Sequence, residues 1–478
     1  MRRFLKWSAA AAVALVVIAA VLFLLGGRLY LDGGGTPRLT FNQPSAAEQA
    51  LAVEQHRAQQ KTSDIGSSGA PATGASAPSA NTPSAIGSSV VPWENDWTDF
   101  RGPARDGRYL KPILTAWPAD GLRPLWKQPS GLGYASFVTA DGRAFTIEQR
   151  GAREVAAAYD VMTGRELWTS VWSAQFRESM GGDGPRATPV AAGGLVYALG
   201  AEGELRALEA TSGNTVWRTN ILEDAGASNL QWGVSAAPLV VDDTVVVIPG
   251  GGGDRSVVAY NRRTGARVWS TGGDAASYSS PMLVTLGGVK QILVFNASGL
   301  SGLSPAGGTR LWDYPWRTQY DVNAGQPIVI GNNRVFLSSG YGAGAAVIEL
   351  TPAGTAFTVR EVWRNIRMKN QFTSSVLHEG FIYGLDESIL ACVDAATGEL
   401  KWKGGRYGYG QVMLASGHLI VLSEDGDLVL VRATPERHDE RARFSALDGK
   451  TWNHPALSNG ILLVRNLKEM AAFDLRSR

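Results

Sequence analysis

The sequence predicts an all-β chain: an eight-bladed β-propeller of four-stranded sheets, behind an N-terminal transmembrane helix and a disordered tether. Three observations lead there. A short phrase ending in tryptophan recurs through most of the chain. The text between recurrences reads as short apolar runs divided by glycine turns. A charge-free run near the N-terminus is followed by a stretch of Ser, Ala, Gly, Thr and Pro. Composition agrees. The 478 residues include 57 glycines and 15 tryptophans, only 18% are charged, and the formal net charge is +2. A nucleic-acid binder would carry a clustered basic face, so that class is set aside. Cys392 is the one cysteine. Disulfide frameworks, zinc ribbons, CxxC pairs and CxxCH haem anchors are therefore excluded.

Residues 1–32 are read as a cytoplasmic stub and a signal anchor. Arg2, Arg3 and Lys6 precede the uncharged run 8–26, which is long enough to cross a bilayer. A cleaved signal peptide would usually have a shorter core and an A-x-A-like site, whereas Gly26-Gly27-Arg28 follows here. The basic N-terminus predicts that it stays inside and the body is exported. In a Gram-negative-type cell the expectation is a single-pass inner-membrane protein with its body in the periplasm. Residues 33–92 are expected to be a disordered linker, because between 63 and 90 the one charge is Asp64 and large apolar residues are almost absent. A short helix over 45–61 is the exception, since Ala, Glu, Gln and Leu favour it.

The body, 93–478, repeats. The phrase reads AAYDVMTGRELW (157–168), ALEATSGNTVW (207–217), VAYNRRTGARVW (258–269), LSPAGGTRLW (303–312) and CVDAATGELKW (392–402), with a longer variant ending at Trp363. Trp126 and Trp452 are placed at the two ends of this series. The mean spacing from Trp126 to Trp452 is about 47 residues, the period of a four-stranded blade. Within a period such as 187–217, GG, EG and SG turns divide four strands. The glycine supplies a positive φ at the turn. The tryptophan fills the wedge between blades. Eight blades are expected at 133–168, 187–217, 236–269, 280–312, 326–363, 374–402, 411–444 and 454–475. The eighth lacks its outer strand, and LRPLWKQ (122–128) is predicted to supply it and close the ring. The seventh is the weakest, because 432–444 has neither the Thr-Gly nor the tryptophan.

This repeat, with WTDFRGPARDG (97–107) and FTIEQRG (145–151), resembles the membrane-anchored pyrroloquinoline-quinone-like propeller repeat proteins. It is also similar to quinoprotein alcohol dehydrogenases and to the propeller of outer-membrane assembly factors. The dehydrogenase resemblance implies pyrroloquinoline quinone and calcium as cofactors, held by a tryptophan, a vicinal disulfide and a set of Glu, Asn and Asp. The disulfide cannot form with Cys392 alone, and no calcium-ligand set can be matched. The assembly-factor resemblance implies a scaffold for envelope proteins.

Any site is expected on the face carrying the loops that lead from one blade's outer strand to the next blade's inner strand. There Arg177, Arg186, Gln231, Trp232, Tyr278, Tyr320, Asn323, Lys369, Asn370, Tyr407 and Tyr409 are the binding candidates, suited to a small, flat, anionic ligand through stacking and charge-assisted hydrogen bonds. Asp183 and Glu178 are candidate bases. PGGGGD (249–254) lacks the Lys-Ser/Thr of a P-loop and reads as a turn. The five histidines show no ligand spacing, so no metal site is expected. Arg101 and Asp106 read as a structural clasp, and Cys392 as a small buried apolar residue.

Overall fold

The computed structural model describes residues 2–31, 37–41, 44–66, 93 and 95–477. Most of the expected linker, including 67–92, lies outside the described residues. Among those described, eight sheets form the body; in seven the four blade strands follow chain order from the axis outward, and the eighth takes its outer strand from ahead of blade 1. Blade 1 is Val138–Ala140, Arg143–Arg150, Arg153–Asp160 and Glu166–Ser173. Blades 2 to 7 occupy 190–220, 239–271, 282–315, 328–365, 376–406 and 411–445. Blade 8 takes Ala456–Ser458, Ile461–Arg465 and Glu469–Asp474, and its outer strand is Pro124–Pro129. That strand pairs Ala472 with Trp126, which closes the ring as the unpaired LRPLWKQ segment predicts. One short helix, α1 of the body (Ile221–Ala225), interrupts the loop text after blade 2. Asn220 caps it by accepting from the amides of Leu222 and Glu223.

The repeated glycine and tryptophan are two halves of one joint. In seven blades the outer-strand tryptophan stands opposite the residue just before a register shift, as in Ala158↔Trp168, Ala207↔Trp217 and Cys392↔Trp402. In five of the seven its indole then donates to the turn of the next blade, whereas Trp312 bonds Gln291 of its own blade. Trp126 donates to the Val161 carbonyl at 2.8 Å, Trp168 to Ala210 at 3.0 Å and Trp217 to Arg262 at 2.9 Å. The turn glycine lies flat beneath that ring. Gly213 has φ 74°, and an added Cβ would come within 2.5 Å of Trp168. Blade 7 has Ala442 where the others have tryptophan. Phe444 fills the space instead, edge-on to Trp117 and Phe473. Trp452 does not belong to this series. It lies in the loop before blade 8 and faces the axis, because the wedge position of that blade is already taken by Trp126.

The segment 95–109 threads the axis as a plug. Trp97 N–H donates to Thr139 of blade 1, and the Ala191 amide of blade 2 donates to the Thr98 carbonyl. Arg101 and Arg105, both buried and both at positive φ (64° and 56°), reach in opposite directions. Arg101 donates to the Ser375 carbonyl of blade 6 at 2.7 Å; Arg105 donates to the Pro281 carbonyl at 2.8 Å, and to that of Pro238. Arg108–Tyr109 adds a parallel strand to blade 7, and the Tyr109 hydroxyl accepts from Gly460 N–H of blade 8. The clasp expected of Arg101 and Asp106 is thus wider than that pair. Arg101 meets the Asp106 backbone carbonyl at 3.1 Å, while its main partner is a blade.

Two helices precede the body. The first, α2 (Arg2–Leu24), covers most of the expected span. Among the described residues no helix is long and apolar enough to cross a membrane, so the anchor is not shown. Val16, Ile18, Phe23 and Leu24 of α2 are exposed. The second, α3 (Ala46–Gly66), overlaps the helix expected at 45–61, but it is not part of a free tether. It docks on the joint between blades 8 and 1. Val53 and Arg57 are buried, the Arg57 guanidinium lies 3.5 Å from Glu166 and over the Tyr159 ring, and it donates to the Pro129 carbonyl at 2.9 Å. The Ala, Glu, Gln and Leu of 45–61 gave helix propensity there but carried no sign of what the helix would cover.

Candidate functional site

The loops that lead into the inner strands converge above the plug and enclose a cavity of about 510 Å³. Its construction follows the repeat. Six residues before the last residue of each inner strand stand Tyr134, Arg186, Ser235, Ser280, Ala324, Phe372, Tyr409 and Trp452. All but Tyr409 line the cavity, and Tyr409 stacks on Phe372 with ring centroids 5.3 Å apart. One position of the repeat therefore faces the axis eight times, and there the blades differ from one another. Phe100 of the plug forms part of the lining, edge-on to His454.

Aromatic rings dominate the walls in contacting groups. Trp452 stacks on Tyr134 at 5.1 Å and meets Phe372 at 4.6 Å. Trp232 packs on Tyr278 at 5.6 Å, and Tyr320 on Tyr341 at 5.5 Å. Polar groups stand between them. Gln231, Gln371 and Gln411 supply amides, and Thr188, Ser235 and Ser280 supply hydroxyls. Gln411 anchors the wall by donating to the Trp452 carbonyl at 3.0 Å. Tyr320 is 60% exposed, which places it at the lip.

The charges are already committed. Arg186 is the cation of the lining. It donates to the carbonyls of Gly184 and Gly182 at 2.8 and 2.7 Å, and it lies over the Phe176 and Tyr134 rings. Burial lowers its pKa, with Glu178 3.9 Å away opposing that shift. His454 is fully buried, and desolvation together with nearby Arg101 pulls its pKa down to about 3, so it is neutral. Burial pushes the Tyr278 hydroxyl up to about 12.

The structure brings together Arg186, Gln231, Trp232, Tyr278 and Tyr320 from the expected set. It separates the others from the cavity. Arg177 is solvent-exposed. Glu178 accepts from the Met180 and Gly181 amides, and Asp183 accepts from the Glu178 amide at 3.0 Å, so both carboxylates shape their own loop rather than face a substrate. Asn323 is buried and bonds the Asn296 carbonyl and Ser339. Asn370 does the same with Leu385 and Ser375. Lys369 pairs with Asp386 and Glu387. Tyr407 is buried beside blade 7, where its hydroxyl donates to Glu440 at 2.7 Å beside His438. Phe100, Tyr134, Tyr341, Phe372 and Trp452 were not anticipated. The eightfold register would have found three of them, had the ends of the inner strands been known.

The lining holds no Asp, Glu or Cys. Among the described residues no three His, Cys, Asp or Glu are grouped to hold a metal ion. Cys392 is buried in blade 6, where desolvation raises its thiol pKa. A carboxylate-bearing quinone with calcium would need acidic ligands for the ion and free cations for its own carboxylates. The residues present do not fit that group.

A family model described as outer membrane protein assembly factor BamB matches residues 114–404. Among solved structures, BamB from Moraxella catarrhalis superposes with a TM-score of 0.54 at 15% identity, covering 75% of this chain and 98% of that one. A europium-containing methanol dehydrogenase gives 0.59 at 13% identity, covering 80% and 98%. The quinohemoprotein alcohol dehydrogenase from Comamonas testosteroni gives 0.56 at 13% identity, covering 81% and 82%. At these identities the likeness is one of fold. No curated protein sequence matches the chain significantly.

Proposed function

The chain belongs to the BamB-like family of pyrroloquinoline-quinone-type propellers, and from that premise we propose that it is a binding propeller of the cell envelope without turnover. Its binding site is the axial aromatic cavity, and its work is to hold a ligand or a partner segment there. The observation that carries this reading is the lining itself: many aromatic rings, amides and hydroxyls, and no carboxylate. Such a surface binds by stacking and neutral hydrogen bonds. It offers no general base, since Glu178 and Asp183 are bound to backbone amides. Localisation follows the same proposal. The apolar run 8–26 anchors the chain in the inner membrane, and the propeller stands in the periplasm, facing envelope proteins.

The competing reading is a quinone-dependent dehydrogenase, favoured by the fold shared with the alcohol dehydrogenases. One experiment separates the two. The full chain is incubated with pyrroloquinoline quinone and calcium, then assayed for heat stability and for dye-linked oxidation of alcohols and sugars. No turnover is expected. Turnover that is lost on changing Trp232 would overturn the binding reading. Deleting residues 1–31 is expected to release the protein from washed membranes, and retention of the deleted protein would count against the anchor.

A further inference from the structure

Resting on the reading of residues 8–26 as a membrane anchor, we infer that the propeller lies with its cavity face on the bilayer. Helix α3 holds it there, and the axial cavity opens onto lipid. The path of the chain argues first. Gly27–Leu31 pairs antiparallel with Pro37–Phe41, and Gly27 stands opposite Phe41, so the hairpin brings the chain back to where α2 ends. Few residues then separate Leu24 from Gly27, and Phe41 from Ser45. At about 3.5 Å each, with the hairpin gap, they cap the distance between the two helices at about 30 Å. Ser45 and Glu48 start α3 as a capping box. The Ser45 amide donates to Glu48 at 2.7 Å, and the Glu48 amide to the Ser45 hydroxyl at 3.2 Å. One turn on, Gln49 donates to the Ser130 carbonyl at 3.0 Å and to that of Leu467. Neighbouring Asn466 donates at 3.0 Å to the Asp448 carbonyl, in the loop that carries Trp452 of the cavity. Toward the other end of α3, Gln60 donates to Gln128 at 2.9 Å, and Gln128 to the Gly164 carbonyl at 2.7 Å. Gly164 lies in a turn between third and fourth strands, on the face opposite the cavity. The helix therefore runs from the cavity rim to the opposite face, and the end that leads to the membrane is at the rim. The spacer between anchor and body is then 25–45, and 67–92 only joins α3 to the plug.

The surface of that face argues second. Met180, Tyr320 and Ile366 are exposed on three of its loops, Ile366 to 71%. Each has an exposed arginine within three positions: Arg177, Arg317 and Arg367. Among the described residues none of these three guanidiniums has an ion pair or a hydrogen bond. An apolar side chain that enters the headgroup layer is buried there, and a guanidinium beside it takes phosphate oxygens in pairs. Tyrosine also belongs at such an interface, with its ring in the apolar layer and its hydroxyl in water. Asp313 and Asp321 share the Tyr320 loop, so the attraction is to single lipid phosphates and not to a uniform surface charge. Leu110 on the opposite face is 79% exposed, beside exposed Lys111. Exposure alone would therefore not choose between the faces. The docked helix chooses, because it delivers the anchor to the cavity side.

The test places the full chain in vesicles of phosphatidylethanolamine and phosphatidylglycerol. Cys392 is buried and its thiol pKa is pushed up to about 12, so it stays unlabelled and one added cysteine reports alone. Ser179→Cys lies on the cavity face and Ala396→Cys on a turn of the opposite face, both at exposed positions. Each carries a fluorophore that a headgroup-spin-labelled lipid quenches on contact. The faces stand about 20 Å apart, the length of a strand, so quenching about threefold or more stronger at Ser179→Cys is expected. Adding Val53→Asp, which undocks buried Val53 and with it α3, is expected to abolish that difference while the protein still floats with the vesicles. Adding Ile366→Asp with Arg367→Ala is expected to weaken quenching at Ser179→Cys, and thermal melts establish that each variant is folded. Floating protein with equal quenching at the two positions, or stronger quenching at Ala396→Cys, overturns the orientation and leaves the anchor standing. A difference untouched by Val53→Asp rejects α3 as the element that sets the orientation. Protein that does not float with the vesicles sinks the anchor, and this inference with it.

Discussion

At the scale of single residues, the clearest lever is Glu154. It is fully buried in the third strand of blade 1, where its carboxylate accepts from the Trp172 indole at 2.8 Å and the Ala201 amide at 2.9 Å, with no cation bonded to it. Desolvation raises its pKa to about 7 against those hydrogen bonds. An acid whose folded pKa lies above its unfolded value binds its proton more tightly when folded. Stability is therefore highest below the unfolded pKa, falls as pH rises through the interval up to about 7, and stays low above it. Glu154→Gln removes the charge that must be buried. It is expected to be near neutral in effect at pH 4 and stabilising by up to about 3 kcal/mol at pH 8. Denaturant melts across pH would show it, and a constant difference between the two proteins at every pH would reject the account. Gly213 makes the opposite case. Its φ of 74° and the Trp168 ring beneath it leave no room for a methyl group, so Gly213→Ala is expected to cost roughly 2 kcal/mol or more through strain and overpacking.

At the scale of elements, the joint between blades 8 and 1 differs from the other seven. Arg465 at the end of Ile461–Arg465 reaches into blade 1 and donates to the Ala135 and Ile147 carbonyls and to Thr146. Glu148 faces it across 4.0 Å and accepts from Arg150, from Tyr159 and from the Gly131 amide. Helix α3 covers this cluster and contributes Arg57. The ring is closed here by strands from the two ends of the body, so the joint is held by charge and by a lid helix as well as by packing. Arg465→Met strands Glu148 beside fewer cations and is expected to cost about 3–5 kcal/mol. Arg57→Met should cost less, because Arg150 still pairs with Glu166, and should increase proteolysis within 44–66. Equal effects from both changes would mean that the helix, rather than the charge cluster, holds the ring. The blades were readable in the sequence because each joint is made from local, periodic text: a glycine turn in one repeat and a tryptophan in the repeat before it. The cavity was not. Its residues sit at one phase of the repeat, but the loops ahead of each inner strand vary in length. Spacing alone therefore hid the alignment of Tyr134, Phe372 and Trp452, and counting tryptophans at a fixed period drew Trp452 into the wrong set.

At the scale of the whole molecule, the plug decides whether eight blades behave as one body. Repeat architectures hold mainly through neighbour contacts, so stability can divide among their units. Here one segment bonds blades on opposite sides of the axis, through Arg101 to Ser375 and through Arg105 to Pro238 and Pro281. No periodicity announces such contacts, since WTDFRGPARDG occurs once and its partners lie up to hundreds of residues away. Arg105 also holds Asp99 at 2.9 Å. In Arg105→Met, two carbonyls just ahead of the inner strands of blades 3 and 4 and a partly buried carboxylate lose their donor, at a cost of several kcal/mol. If the plug is a local clamp, hydrogen exchange should accelerate in 97–109 and in the inner strands of blades 3 and 4, while blade 6, still held by Arg101, stays protected. If the plug couples the ring, exchange should accelerate in all eight blades together and the thermal transition should stay single. The second outcome is expected, because the plug bonds blades 1, 2, 7 and 8 as well through the Trp97 amide, the Thr98 and Gly107 carbonyls and the Tyr109 hydroxyl. Loosening one arm then releases the segment that all of them share. Phe100 moves with it, so the same change should also weaken binding in the cavity whose lining it completes.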